Sequence, residues 1–226
     1  MISAPQIEAS SPQAFEVEPE KIRRAATSQT PNILTDIYQD ETNIAIWQRE
    51  LSSTLQQTID EFVIANPTFQ STMTVSPQNA LAHLSKMLGP SELSEDIAEL
   101  MDMFCCLFEL KRAGLRLAVL NCAMCPKFHV DKVPCRLVTT YRGLTTQWLP
   151  HNVVDRTKLG AGNPSISDEQ SALFQCKNDI HHLNCGDVAL LKGELWEGNE
   201  NAGLVHRSPS PSKDELRLLL TLDFSN

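Results

Sequence analysis

Apolar residues recur every three or four positions from Asp40 onward, at Ile44, Trp47, Leu51, Leu55, Ile59 and Phe62. That spacing is the buried stripe of an amphipathic helix, and Asn66-Pro67 ends it because the residue before a proline is pushed out of the helical region. A second helix is predicted over 77–88, with Ser76 as N-cap, Pro77 at the first helical position and Gly89-Pro90 closing it. A third starts after Ser91 or Ser94 and runs to about Arg112, with Ile97, Leu100 and Met101 on its stripe. After Gly114 the periodicity becomes extended. Segments 115–120, 134–141, 145–149, 187–191, 203–207 and 216–224 read as strands between Gly, Pro, Asn and Asp clusters, with weaker strands near Val153 and over 173–176.

This pattern predicts an α+β fold. Short strands spaced in this way over 114–226 suggest a sandwich or jelly-roll barrel. The helical segment 33–113 is expected to pack on one face of it, because stripes containing Phe104, Leu107, Phe108 and Leu110 need a partner surface; the same segment is a candidate homodimer contact. Residues 1–32 carry four prolines among Ser, Gln and Glu and are expected to form a disordered arm. Segment 156–172, with Gly160, Gly162, Asn163 and Pro164, is the longest unpatterned stretch and a candidate lid.

Composition narrows the partners. Nineteen basic against 28 acidic residues, a net charge of -9, leave no Lys/Arg stripe to displace counterions, so nucleic acid is not expected. No run approaches the roughly 18 to 20 apolar residues of a membrane span, and Met1 to Ser10 lacks the basic flank and apolar core of a signal peptide. A cytoplasmic protein is expected. Its seven cysteines, an odd number, then read as reduced thiols or metal ligands.

The candidate chemistry lies in Cys125-Pro-Lys-Phe-His-Val-Asp131. Side chains at i and i+2 of an extended segment share a face, so His129 and Asp131 supply two thirds of a facial triad, the two-His, one-carboxylate set that holds Fe(II) with positions left open. His206, in Gly203-Leu-Val-His-Arg-Ser-Pro209, is the candidate third ligand. Arg136, Thr139 and Tyr141 are expected to share alternation on the following strand and to line the pocket.

A competing reading uses the thiols. Cys122-x-x-Cys125 has zinc-knuckle spacing, and His181, His182 and Cys185 could complete a tetrahedral Zn(II) site in a non-enzymatic metal-handling module. On their own, His83 reads as a helix-surface side chain, and His151, His181 and His182 as exposed loop residues. A third reading is an interaction domain whose triad residues merely pack.

The order of His129 and Asp131, the turn-to-strand Cys185-Gly-Asp-Val-Ala-Leu-Leu191, His206, and Arg217 eleven positions later resembles the Fe(II)- and 2-oxoglutarate-dependent oxygenase superfamily. That resemblance covers about residues 115–226 and implies a double-stranded β-helix. It also implies Fe(II) held by His129, Asp131 and His206, with Arg217 pairing the far carboxylate of 2-oxoglutarate; the oxidised substrate, a small molecule or a protein, is not specified. Through Cys125–Asp131, Thr140-Tyr-Arg-Gly143 and His206-Arg-Ser-Pro209, most of the chain is also similar to an uncharacterised bacterial family, domain of unknown function 1826. That family implies no activity.

Overall fold

A capping box opens the longest helix: the Ser91 hydroxyl accepts from the Ser94 amide, and the Ser94 hydroxyl accepts from the Ser91 amide. This is α3, Glu92–Leu107. Before it lie α1, Ser53–Ala65, capped by the Ser52 hydroxyl on the Leu55 amide, and α2, Pro77–Leu88, whose bounds are those predicted from Pro77 and Gly89. The computed structural model describes residues 21–160, 167–212 and 215–225.

Ten strands are present among these residues: β1 Arg24–Ser28, β2 Thr42–Trp47, β3 Gln70–Val75, β4 Ala113–Leu120, β5 Cys135–Arg142, β6 Gln147–Leu149, β7 His181–His182, β8 Val188–Lys192, β9 Val205–Arg207 and β10 Arg217–Phe224. Seven form one sheet in the order β1-β2-β8-β5-β10-β4-β3, and three form a second in the order β7-β6-β9. Every pairing is antiparallel except β1 with β2.

The fold is therefore mixed α+β, in layers set by strand alternation. One face of the large sheet carries Leu115, Leu117, Leu137, Leu190, Leu218 and Leu220 into a core with Ile59, Leu84, Ile97, Met101 and Phe104 of the helices. Each such side chain contributes roughly 1.5–3 kcal/mol by leaving water. The other face carries Ile44, Ala118, Val138, Leu191 and Leu219 against Trp148 and Leu204 of and beside the small sheet. A third cluster, Phe128, Leu149, Leu173, Phe174 and Val205, lies outside that second core.

The elements correct several expectations. The stripe starting at Ile44 belongs to two elements: Ile44 and Trp47 lie in β2, and only Leu55, Ile59 and Phe62 lie in α1. Five of the six β2 residues are buried, because the strand is covered by the helical core on one face and the second core on the other, so it shows no alternation. Segment 33–113 accordingly holds strands β2 and β3 as well as helices. Residues 24–28 of the expected arm are strand β1, and a 3₁₀ segment spans Pro31–Tyr38; the rest of the arm up to residue 20 lies outside the described residues. Helix α3 stops at Leu107 rather than near Arg112, where Glu109 takes a left-handed conformation (φ 53).

Near Val153 there is a single 3₁₀ turn, His151–Val153, in place of a strand. Leu173 and Phe174 are buried in a turn. His181 and His182 are not in a loop but pair with Trp148 and Gln147. Much of the candidate lid, residues 161–166, lies outside the described residues. Among the described residues no helix is long and apolar enough to cross a membrane.

Candidate metal centre

Two main-chain hydrogen bonds build this site. The His129 amide donates to the His206 carbonyl (3.0 Å) and the His206 amide donates to the His129 carbonyl (2.9 Å), an isolated antiparallel bridge that sets the two imidazoles side by side with ring centroids 4.6 Å apart. Each Nδ1 lies on a backbone carbonyl, that of Lys127 for His129 (2.9 Å) and that of Leu204 for His206 (3.1 Å). A carbonyl only accepts, so each Nδ1 carries a proton, and in the neutral ring Nε2 is then the nitrogen with the lone pair. Both Nε2 atoms face Asp131, His206 at 3.4 Å from Oδ2 and His129 at 3.7 Å from Oδ1. One ligand atom from each of the three side chains lies within 4.8 Å of the others.

The loop bearing Asp131 is held by the turn after β8. Glu194 donates its amide to the Asp131 carbonyl (3.0 Å), Gly193 to that of Pro134 (2.9 Å) and Leu195 to that of Val133 (3.2 Å). This approach is so close that a Cβ on Gly193 would meet the Val133 carbonyl oxygen at 2.0 Å.

Three electron-rich groups converging on one point repel one another unless a proton or a cation lies between them. Burial, then the neighbouring His206, push the His129 pKa below its usual value, so its imidazole is the neutral form that ligates metals. Burial works to raise Asp131, but His206, Arg136 and His129 outweigh it and hold the carboxyl at about 2, ionised. Two imidazoles and one carboxylate fit a divalent cation of the Fe(II) type, which such a set binds on one face.

Beside the triad is a cavity of about 60 Å³ whose lining includes Met124, Val138, Leu191 and Leu219 on its apolar side and Arg217 on its polar side. Arg217 is 2% exposed. Its guanidinium donates to the hydroxyls of Ser208 (2.6 Å), Thr140 (3.1 Å) and Thr146 (2.9 Å), while Nε is buried without a partner. No carboxylate among the described residues pairs with it, and burial pushes its pKa down to about 10.

Of the expected pocket residues, Arg136 lines the cavity and donates to Asp131 Oδ2 at 2.7 Å. Tyr141 does not line it. Its hydroxyl donates to Asp96 Oδ2 (2.5 Å), which also accepts from Arg49 (2.9 Å), and its ring packs in the helical core. Thr139 shares that face by alternation with Leu137 and Tyr141. The pocket-facing residue between them is Thr140, one of the Arg217 partners.

Arg207, next to His206, also lines the cavity but is already neutralised: its guanidinium lies 4.2 Å from the Phe128 ring centre and pairs with Asp168 and Glu169 (both 3.1 Å). Among the described residues no group of three possible ligands includes Cys122, Cys125, Cys185, His181 or His182. The Cys185 thiol donates to the carbonyls of Thr140 and Tyr141, and His181 stacks on Trp148 at 4.6 Å. Residues that the sequence did not single out are Thr146 beside Arg217, Asp223 behind Arg136, and Gly193 under Asp131; Thr140 and Ser208 stand in two of the motifs with no role assigned to them there.

The chain is similar to solved structures of oxygenases. A prolyl-4-hydroxylase from Pseudomonas putida matches with a TM-score of 0.46 at 9% identity, covering 86% of this chain and 98% of that one. A dioxygenase for auxin oxidation from rice matches with a TM-score of 0.47 at 10% identity, covering 89% and 82%. An oxidoreductase of the 2OG-Fe(II) oxygenase family from Burkholderia pseudomallei matches with a TM-score of 0.42 at 9% identity, covering 92% and 95%. No curated protein matches the chain in sequence. With a family model matching residues 28–223, the chain belongs to the family described as Protein of unknown function (DUF1826).

Proposed function

We propose that this protein is a 2-oxoglutarate-dependent Fe(II) oxygenase on a double-stranded β-helix, with the seven-stranded and three-stranded sheets as the two sides of the roll. The observation that carries the reading is the convergence of the His129 and His206 Nε2 atoms on the Asp131 carboxylate, with both Nδ1 atoms already held by backbone carbonyls. His129, Asp131 and His206 hold the metal. Fe(II), when bound, supplies the redox chemistry that dioxygen needs.

Arg217 supports the oxoacid part of the reading. A buried guanidinium with no acidic partner among the described residues, at the wall of the cavity beside the triad, is a receptor for a carboxylate that arrives with a ligand. Ser208, Thr140 and Thr146 orient its fork, and Val138, Leu191 and Leu219 exclude water from the space between fork and triad. The carboxylate and imidazole donors suit Fe(II), whereas the thiols that would favour Zn(II) do not group with them.

The test is anaerobic loading with Fe(II), then addition of 2-oxoglutarate and dioxygen. Uncoupled consumption of 2-oxoglutarate, lost in His129→Ala, is the expected result. Undiminished consumption in His129→Ala, or wild-type protein that binds no divalent metal, refutes the proposal.

A further inference from the structure

We propose that Arg136 fixes how Asp131 presents its carboxylate: by occupying Oδ2 it leaves Oδ1 as the single donor oxygen and thereby keeps one more coordination position open for incoming ligands. The inference rests on the reading of His129, Asp131 and His206 as a metal site.

Arg136 sits on β5 directly opposite Asp223 on β10, so the pair is placed by the sheet ladder rather than by a loop. Asp223 takes the guanidinium in a two-pronged grip, Nε to Oδ1 at 2.7 Å and Nη2 to Oδ2 at 3.1 Å. A planar fork held at two points has its remaining direction set. The remaining amine, Nη1, aims at Asp131 and donates to Oδ2 at 2.7 Å. Among the described residues Oδ1 accepts no hydrogen bond and faces His129 Nε2 at 3.7 Å, whereas Oδ2 takes the Arg136 bond and also lies 3.4 Å from His206 Nε2. The two oxygens of one carboxylate are thus made unequal by the protein itself.

The inequality matters because a carboxylate can bind a cation through one oxygen or through both. Three single donors on one face of an octahedron leave three positions. A carboxylate using both oxygens takes a fourth, and an oxoacid binding through two atoms together with dioxygen then no longer fits. A lysine at 136 would bring the same charge but no second and third prong to set its direction. Arg136 is a positioning residue: it acts through Asp131.

The experiment uses full-length protein loaded with Co(II), whose visible absorption reports coordination number, and is read without any oxoacid so that a direct contact between Arg136 and that ligand plays no part. Arg136→Met is expected to change the Co(II) spectrum and to alter the Co(II) dissociation constant by about 10- to 100-fold. Asp223→Asn, which loosens the grip without touching Asp131, is expected to shift the spectrum in the same direction and by less; Arg136→Lys restores only part of the wild-type spectrum. Variant spectra that superimpose on the wild type, with dissociation constants within twofold, overturn the inference while leaving the metal site standing. Should Arg136→Met fail to fold, the Asp223→Asn spectrum alone decides in the same way. Wild-type protein that binds no Co(II) overturns the metal reading and this inference together.

Discussion

Replacing Arg217 with methionine separates the stability of the unliganded protein from its affinity for an oxoacid. In the unliganded protein the guanidinium makes three hydrogen bonds to neutral hydroxyls, at 2.6, 2.9 and 3.1 Å, and buries Nε without a partner. Hydrogen bonds to a charged group contribute roughly 1.5–3 kcal/mol each, and those gains are opposed by a desolvation penalty of about several kcal/mol for an ion with no counter-charge. The two nearly cancel, and the variant is expected within about 2 kcal/mol of the wild type in denaturant melts. With 2-oxoglutarate bound, the same fork gains a carboxylate. A charge-assisted bond from the free Nε contributes about 1.5–3 kcal/mol, so Arg217→Met is expected to weaken 2-oxoglutarate binding by at least about tenfold. Calorimetric titration of Co(II)-loaded protein reads the second quantity. A dissociation constant within threefold of the wild type refutes the assignment of Arg217 to the oxoacid, and a loss of more than about 3 kcal/mol in the unliganded protein refutes the cancellation.

Other substitutions test the scaffold. Gly193→Ala drives a Cβ into the Val133 and Asp131 carbonyls, at 2.0 and 2.8 Å, and is expected to cost about 1–3 kcal/mol and to weaken Co(II) binding about tenfold; unchanged Co(II) affinity refutes the role given to this approach. Phe104→Ala empties the centre of the helical core, where Phe104 meets Phe108 at 5.0 Å and Phe224 at 5.7 Å, and is expected to lower stability by about 3–5 kcal/mol in urea melts, with less than 1.5 kcal/mol arguing against the packing described. Lys192 is buried with its ammonium on the Gln39 carbonyl and over Trp196, and burial pushes its pKa from 10.5 down to about 8. The folded state thus binds fewer protons than the unfolded one between those values, so stability rises with pH across that window and the contribution is lost as pH falls through 8. Relative to Lys192→Met, the wild type is expected to gain on the order of 1–2 kcal/mol from pH 8 to 10, and a flat difference refutes it.

Much of the scaffold is legible in the chain, and the failures have local causes. Pro77 and Gly89 fix both ends of α2 because each residue type has one favoured place at a helix end. Strand β2 is hidden because burial on both faces removes alternation, and Ile44 and Trp47 happen to fall three apart, in phase with the helix that follows. Strand β1 carries Arg-Ala-Ala-Thr-Ser, with no pattern of its own, and exists through its parallel partner. On β5, positions 136 and 139 differ by an odd number, and alternation places them on opposite faces, so Arg136 reaches the cavity while Thr139 and Tyr141 turn to the helices. The convergence of His129, Asp131 and His206 could be posed from motif order alone. The role of the hydroxyls around Arg217 could not, even for Thr140 and Ser208 inside motifs, since a serine or threonine on a strand or loop carries no mark of what it orients.

The reciprocal amide bonds between His129 and His206 mean that the main chain itself brings the two rings together. On the proposed reading, loading the cation is then expected to require no refolding. A receptacle of that kind is expected to be emptied with a chelator and refilled, with exchange of its two bridging amides with solvent deuterium slow in both conditions.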